Sequence, residues 1–345
     1  MITKTVKSFG LALTLIASSV ALHAKNNVVV VATGGTIAGA GAMGSRIGTY
    51  LKQSGQDVTL IDYWKDHVHR INEKGIEVQT EHDTYTVEMH ATFPEEVNQT
   101  YDIIVLLTKS MQSEQMMQIL KEQGAISEDT AILCMMNGLG HDERLSQFVP
   151  KSQIFLAVTM WTAGLRGPGQ LLLEGEGSID FQRADGKKDP RTQEIADILN
   201  QAHLNATISN DVFKAIWSKA TLNSVLNPLC TILDKTIGEL GAYDHSRAMI
   251  RPIIEEIVDV AHAKNVDIHI NDLISKIEAA YPDHAQGLHY PSMHQDYNHG
   301  RLTEIDYLNG QIVDYGKSLG IATPNNELIT HLIHQLEMKL NINEY

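Results

Sequence analysis

Residues 28–48, VVVVATGGTIAGAGAMGSRIG, decide the fold of this 345-residue chain. Four consecutive valines are typical of a buried parallel strand, and Gly39-Ala40-Gly41-Ala42-Met43-Gly44 is a G-x-G-x-x-G run that opens a helix. The first glycine allows a tight turn, the second lets a pyrophosphate approach the backbone, and the third lets helix and strand pack closely. The N-terminus of the helix would then face the phosphates with its free N–H groups. The stretch therefore predicts a dinucleotide-binding site.

An acidic residue, Asp62, ends the next predicted strand, Val58–Ile61, 18 residues after the last glycine of the run. Its carboxylate is expected to accept hydrogen bonds from the adenosine ribose hydroxyls, which favours NAD over NADP. Lys65, His67 and Arg70 follow closely, and one of them could instead meet a 2′-phosphate, so both cofactors stay open. The residues predicted here to bind cofactor are Gly39, Gly41, Ala42, Met43, Gly44 and Asp62.

The rest of the chain falls into two parts. Up to about residue 208, buried strands alternate with helices, which indicates βαβ units and a parallel sheet. From residue 209 amphipathic helices dominate. The predicted fold class is α/β, with a Rossmann-type parallel sheet domain (25–208) followed by an all-helical C-terminal domain (209–345). For the first strand we prefer Thr36–Ala38, extended by the valines, because this choice keeps the glycine run in register.

Composition limits the class of partner. Lys+Arg 27 against Asp+Glu 42 gives a net charge of −15, which argues against nucleic acid or an anionic membrane because both need a cationic surface. Cys134 and Cys230 stand in apolar runs and are predicted to be buried thiols. The sixteen histidines show no metal-ligand spacing, so no metal is expected. We consider a homodimer as the oligomeric state.

Two buried thiols suggest a reducing compartment, but the pattern of the first 24 residues indicates export from it. Lys4 and Lys7 precede an apolar stretch from Phe9 to Leu22, and small residues follow it. This is the pattern of a secretory signal peptide, too short for a membrane-spanning helix. Residues 1–24 are therefore predicted to be an export signal and are left out of the fold prediction.

Two polar groupings in the second part could carry chemistry. Lys219, Asn223 and Asn227 stand at i, i+4 and i+8, so they form one stripe on a predicted helix. Pro228 is expected to interrupt this helix and to leave backbone groups that a ligand or side chain must satisfy. An ammonium beside two amides could bind a carboxylate and protonate a carbonyl oxygen. The segment 287–310, GLHYPSMHQDYNHGRLTEIDYLNG, adds Ser292 and Glu304 as candidates for contacts to a substrate.

The blocks AGAGAMGSRIG, LLTKSMQ, MNGLGHDE, WSKATLNSVLNPL and HYPSMHQD with RLTEIDYLNG resemble, in this order, the motifs of the ketopantoate reductase family. The resemblance, from about Gly39 onward, implies a Rossmann domain, a helical domain and an active site between them. It implies NADP(H) as cofactor, Lys219 as the general acid and Glu304 as a catalytic ligand of the substrate hydroxyl. The remaining residues that it implies are Asn137, Asn223, Asn227 and Ser292 for the substrate, and Lys109 and Asn137 for the cofactor.

Finer features are similar to a different branch of the same fold. MWTAGLRGPG, GLHYPSM and Asp62 resemble NAD-dependent D-2-hydroxyacid dehydrogenases of the D-mandelate type. The leading hypothesis is an NAD(P)H-dependent reductase of a small 2-oxo acid, ketopantoate first, which implies a cytoplasmic enzyme. A D-2-hydroxyacid dehydrogenase is the second hypothesis. A third, from another class, is an inactive fusion with a damaged nucleotide site.

The third hypothesis comes from the front of the chain. Residues 1–42, including KNNVVVVATGGTIAGAGA, resemble the N-terminus of a periplasmic type II L-asparaginase, in which the TGGT block supplies a nucleophilic threonine, here Thr36. The second catalytic block of that family, Gly-Thr-Asp-Thr, is absent from the sequence, so asparaginase activity is not expected. We interpret residues 25–42 as a graft that joins the reductase sequence at the glycine run. A functional export signal would place the chain in the periplasm or outside the cell.

Overall fold

The computed structural model of the protein describes residues 26–31 and 41–340. Within them the strands are β1 (Asn27–Val31), β2 (Asp57–Ile61), β3 (Ile76–Gln79), β4 (Thr84–Val87), β5 (His90–Thr92), β6 (Ile103–Leu106), β7 (Ala131–Cys134), β8 (Ile154–Thr159), β9 (Gly164–Gly167), β10 (Gln170–Leu172), β11 (Ile179–Arg183) and β12 (Ala206–Ile208). The α-helices are α1 (Ala42–Gln53), α2 (Lys65–Lys74), α3 (Ser113–Glu122), α4 (His141–Leu145), α5 (Pro190–Gln201), α6 (Val212–Leu233), α7 (Ile237–Gly241), α8 (Ser246–Ala263), α9 (Ile270–Glu278), α10 (Ser292–Asn298), α11 (Asn309–Leu319) and α12 (Pro324–Glu337).

The larger of two sheets has the strand order β12-β11-β8-β7-β6-β1-β2-β5. Its strands from β8 to β5 are parallel, whereas β11 is antiparallel to β8. The prediction of a Rossmann-type parallel sheet is therefore confirmed, with a mixed edge that the sequence pattern did not reveal. The smaller sheet, β4-β3-β10-β9, joins strands distant in sequence and was not predicted.

The first strand differs from our preference. Val28–Val31 fill the central slot themselves: they pair with β2 on one side and β6 on the other, and each valine is at most 1% exposed. The preference for Thr36–Ala38 in this slot was wrong, because a central parallel strand is buried on both faces and an unbroken β-branched run suits it better. Thr36–Ala38 and Gly39 lie outside the described residues.

After β12 the described chain is helical, and α6 to α12 surround a separate apolar core that includes Ile254, Ile274 and Ile312. Both parts of the predicted architecture, the sheet and the helical region, are thus present. Cys134 and Cys230 are buried free thiols, as predicted. In the described ranges we find no helix with the length and apolar character that crossing a membrane requires.

Pro228 does not end its helix as expected, since α6 continues to Leu233. A proline lacks the N–H that would bond the carbonyl four residues earlier, which is that of Ser224. Asn309 of α11, itself fully buried, donates from Nδ2 to the Ser224 carbonyl oxygen at 3.0 Å. A side chain therefore satisfies the freed carbonyl, and α6 continues without a break beyond the polar stripe.

Candidate active site

A cleft lies where β6, β7 and β8 end. Lys109 follows β6, Asn137 follows β7, and Thr159 is the last residue of β8. Ligands of doubly wound sheets bind outside these carboxyl ends of the strands. Lys219 on α6 and Glu304, which precedes α11, face the same space, and all five residues line one cavity of about 150 Å³.

A second, smaller cavity adjoins the first, because Asn137 and Glu304 line both. Its other polar residues are Asn223, Asn227, Ser292 and Asp296. Asn227 is buried, and Ser292, at the start of α10, is exposed at the mouth. The structure thus brings together the predicted substrate residues from three distant segments of the chain.

Lys219 is the cleft lysine whose pKa is lowered. Its Nζ donates a hydrogen bond to the backbone carbonyl of Thr159 at 2.9 Å. Burial lowers the pKa of Lys219 to about 8, while the negative charge of Glu304 raises it. An ammonium with such a pKa can release a proton near neutral pH, which suits a general acid.

Glu304 joins the two domains. Its Oε1 accepts hydrogen bonds from the backbone N–H of Ser110 at 2.9 Å and from the Ser110 hydroxyl at 2.8 Å. Lys109 lies 3.8 Å from Glu304 Oε2 and 2.6 Å from Asp296 Oδ2. These carboxylates raise the pKa of Lys109 against the opposing effect of burial, so Lys109 is a permanent cation in the cleft.

At the nucleotide end, Gly41 is the N-cap of α1 and lies against Asp62. A Cβ on Gly41 would lie 3.3 Å from Asp62 Oδ2 and 3.4 Å from Leu165 of β9. Asp62 is 3% exposed and its Oδ1 accepts the Trp64 N–H at 2.8 Å. A glycine that a Cβ would crowd, beside a carboxylate that can accept from ribose hydroxyls, fits a dinucleotide.

The other predicted cofactor residues differ in what the structure describes of them. Ala42 and Gly44 are buried in the first turn of α1, and Met43 lines the larger cleft cavity. Gly39 lies outside the described residues.

His67 is a poor partner for a 2′-phosphate. Its Nδ1 accepts the Gly169 N–H at 3.0 Å, and burial lowers the pKa of His67 to about 4, so the ring is neutral. Arg70 donates to the carbonyl of Gly75 at 3.3 Å, while Lys65 is exposed at the start of α2. Of the three residues named from the sequence, Lys65 is therefore the cation best placed to reach a phosphate.

Two residues that hold Asn137 were missed from the sequence. The Asn137 carbonyl accepts a hydrogen bond from His141 Nε2 at 2.7 Å and lies 3.0 Å from Ser110 Oγ, whose single proton it shares with Glu304 Oε1. Burial lowers the pKa of His141 to about 4, so it donates as a neutral ring. Both residues stand inside the quoted LLTKS and MNGLGH blocks, so their position next to Lys109 and Asn137 was the available signal.

Nothing in the sequence indicated that Arg46 is buried, because an arginine on an amphipathic helix usually faces solvent. It is 1% exposed, lies over the Trp161 ring at 4.1 Å and donates to the carbonyls of Thr162 and Glu174. These contacts tie the nucleotide helix to the segment that follows β8.

One group of three metal-ligating side chains, His262, Asp267 and His269, is found in the part of the chain that the structure describes, and it is exposed. His262 Nε2 bonds the Ile268 carbonyl at 2.8 Å. The group belongs to the end of α8 and the loop after it, and it does not line the cleft cavities.

A parallel dinucleotide sheet, a helical domain and a lysine–amide–carboxylate cleft between them define the class of two-domain, dinucleotide-dependent oxidoreductases. Comparison with known proteins agrees. The family model "Ketopantoate reductase PanE/ApbA" matches residues 36–186, and its C-terminal model matches residues 211–337. The chain belongs to the ketopantoate reductase family.

Individual relatives cover nearly all of the chain. It is 42% identical to 2-dehydropantoate 2-reductase of Streptococcus pyogenes serotype M3, over 89% of this chain and 98% of that protein. It is 40% identical to 2-dehydropantoate 2-reductase of Lactococcus lactis, over 88% and 97%. Among solved structures, D-mandelate dehydrogenase with NADH and anilino(oxo)acetate is similar with a TM-score of 0.84 and 40% identity, covering 91% of this chain and all of that one.

Proposed function

We propose that the protein reduces a 2-oxo acid to a D-2-hydroxy acid with NAD(P)H, and that ketopantoate (2-dehydropantoate) is the substrate. The observation that carries the proposal is the position of Lys219, whose pKa of about 8 suits proton transfer and which shares its cavity with Glu304 and Asn137. Membership of the family and the names of the relatives from Streptococcus and Lactococcus support the choice of substrate.

In the proposed reaction, bound NAD(P)H supplies the hydride. Lys219 donates its proton to the carbonyl oxygen of the substrate, and the Thr159 carbonyl keeps the ammonium pointed into the cleft. Glu304 accepts a hydrogen bond from the substrate hydroxyl. We assign the substrate carboxylate to Ser292, with the amides of Asn223 and Asn227 beside it, because these groups line the adjoining cavity. We assign Asn137, whose backbone carbonyl contacts Ser110 and His141, to contacts with both the substrate and the nicotinamide.

For the cofactor site, we propose Gly41, Ala42, Met43 and Gly44 at the pyrophosphate, Asp62 at the adenosine ribose and Lys109 in the cleft. Gly39 is retained in this set on the sequence pattern alone. NADH is the preferred form in this proposal, because a carboxylate at the ribose accepts hydrogen bonds from two hydroxyls and repels a 2′-phosphate.

A second candidate function is NADH-dependent reduction of a bulkier 2-oxo acid, as in a D-2-hydroxyacid dehydrogenase. Asp62 favours it, and so does the similarity to D-mandelate dehydrogenase with NADH. Oxidation of NADH and of NADPH should be followed with ketopantoate and with a branched and an aromatic 2-oxo acid. Turnover of ketopantoate supports the first function, and turnover of only the other acids supports the second. If neither NADH nor NADPH is oxidised with any of these acids, both functions are refuted and an inactive fusion is favoured.

The rate of reduction should fall as the pH rises through the pKa of Lys219, about 8. Below that pH the ammonium is present and kcat is constant, while above it kcat should fall about tenfold per pH unit because the acid is lost. His67 and His141, each with a pKa of about 4, stay neutral throughout. A steady-state profile from pH 6 to pH 10 measures the fall, and a rate independent of pH up to pH 9.5 would contradict the assignment.

Asp62→Ser should weaken the use of NADH more than the use of NADPH. The variant loses the ribose acceptor and the repulsion of a 2′-phosphate, so the ratio of kcat/KM for NADH to that for NADPH should fall by about tenfold or more. Asp66→Ser, an exposed carboxylate in the first turn of α2, is the matched control and should leave the ratio unchanged. Equal losses for both nucleotides would remove Asp62 from cofactor choice.

The front of the chain carries a separate proposal, that residues 1–24 are an export signal and that residues 25–42 are a graft. Ten residues lie between Val31 and Ala42, whereas the fingerprint expects a strand that leads directly into the first glycine. The mass of the purified protein and its distribution between cell fractions test the signal, and with it the choice between cytoplasm and export.

The homodimer remains a prediction, which light scattering tests.

A further inference from the structure

Asp296 is a buried carboxylate that our mechanism does not use. It lies on α10, is 4% exposed, and lines the smaller cavity. Its Oδ1 accepts hydrogen bonds from Arg301 Nε at 2.9 Å and Nη2 at 2.8 Å, and its Oδ2 contacts Lys109 at 2.6 Å. Arg301 therefore fixes the carboxylate on one side, and the other side holds a lysine from the opposite domain.

Lys109 is shared unequally between two carboxylates. It is within hydrogen-bond distance of Asp296 but 3.8 Å from Glu304 Oε2, which is too far for a hydrogen bond. Glu304 is meanwhile held through Oε1 by both donors of Ser110. Its Oε2 thus has no direct hydrogen bond to the Lys109 ammonium.

We propose that Asp296 is a positioning residue that holds Lys109 away from Glu304, so that Glu304 serves Lys219 and the substrate hydroxyl. When Asp296 no longer attracts the partly buried Lys109 ammonium, the other carboxylate beside it, Glu304, attracts it more closely. Without Asp296, Lys109 would bind Glu304 Oε2 directly. The part of the inference that concerns the substrate hydroxyl rests on the proposed function.

The consequence for Lys219 follows from its charged surroundings. In the described structure Glu304, before α11, is the charged group that acts on Lys219. Lys109 lies 3.8 Å from Glu304 and 2.6 Å from Asp296, which Arg301 also contacts. A Glu304 carboxylate bonded to Lys109 attracts the Lys219 proton less. Loss of Asp296 therefore makes Lys219 a stronger acid that deprotonates at lower pH.

Asp296→Asn in the full-length protein tests the proposal by kinetics. We expect KM for ketopantoate to rise about tenfold, because a Glu304 carboxylate bonded to Lys109 accepts less strongly from the substrate hydroxyl. The alkaline fall of kcat should move about one pH unit lower. Asp296→Glu should restore part of both effects, and Asp306→Asn, an exposed carboxylate paired with His334, should change neither. An unmoved pH profile would overturn the proposal.

Competitive acetylation of lysines, read for each residue by peptide mass spectrometry across pH, tests it without turnover. In Asp296→Asn, Lys219 should become reactive about one pH unit lower than in the wild type. Adding Lys109→Met should reverse this shift, because the competing ammonium is gone; a merely structural role of Asp296 predicts no reversal. Should Asp296→Asn be insoluble, Lys109→Met and the double variant should give the same Lys219 profile, and different profiles would refute the inference. A wild-type protein that reduces no 2-oxo acid sinks the proposed function and leaves this measurement valid.

Discussion

Replacement of Lys219 by alanine is expected to lower kcat for 2-oxo acid reduction by about 10³-fold, which is within the range that a positioned general acid contributes. Nucleotide binding should change little, because Gly41 and Asp62, proposed at the pyrophosphate and the ribose, do not line the cavity that contains Lys219. Stopped-flow measurement of NADH oxidation and fluorescence titration of NADH separate the two effects.

The matched control stands on the same helix. Lys214→Ala removes an exposed ammonium that lies 3.6 Å from Asp267 and lines neither cleft cavity, so kcat should be that of the wild type. A Lys219→Ala enzyme with more than a tenth of the wild-type kcat would reject Lys219 as the proton donor. Water or another residue would then have to protonate the carbonyl.

Much of the fold could be predicted because its signals are local. Valine runs and alternating helices indicated a parallel sheet, and the glycine run with Asp62 indicated the nucleotide crevice. The identity of the first strand was missed because two adjacent segments compete for one slot, and burial on both faces, a property of the whole sheet, selects the valines.

The residues that line the two cleft cavities could be named from the sequence, but the contacts between them could not be predicted. Lys219, Asn223 and Asn227 share a face because helix geometry is periodic. The contacts of Lys109 with Asp296, 187 residues away, and of Ser110 with Glu304, 194 residues away, depend on how the two domains meet. No periodicity links such positions, so the inter-domain carboxylates could be identified as candidates but not paired.

The same dependence on domain contact explains Pro228 and Asn309. A proline in mid-helix is costly when the carbonyl that it leaves is unpaired. Asn309, 85 residues from Ser224, supplies the donor from a different helix. Only the tertiary structure shows that the helix can therefore continue and keep Asn227 in line with Lys219.

Gly138→Ala is expected to lower the stability of the protein by about 3 kcal/mol and kcat/KM by about 10²-fold, through two separate effects. Gly138 has φ +97°, which a side chain adopts only with strain of about 1–2 kcal/mol. A Cβ there would also lie 2.7 Å from the backbone oxygen of Tyr307, a contact that real Cβ atoms essentially never make. That same oxygen accepts the Leu139 N–H at 2.9 Å, so the clash would separate the loop from the helical domain.

Gly55→Ala distinguishes the two effects. Gly55 has a similar φ of +95°, but a Cβ there meets nothing within 4 Å. This variant should lose only the 1–2 kcal/mol of backbone strain and keep full activity. In Gly138→Ala the neighbouring Asn137 moves with the loop, and a displacement of about 1 Å at a substrate-positioning residue is enough for a loss of 10²-fold. Thermal unfolding measures the stability of both variants and steady-state kinetics their activity, and the comparison separates the two effects. Equal losses of stability and full activity in both would mean that the contact between Gly138 and Tyr307 does not position the site.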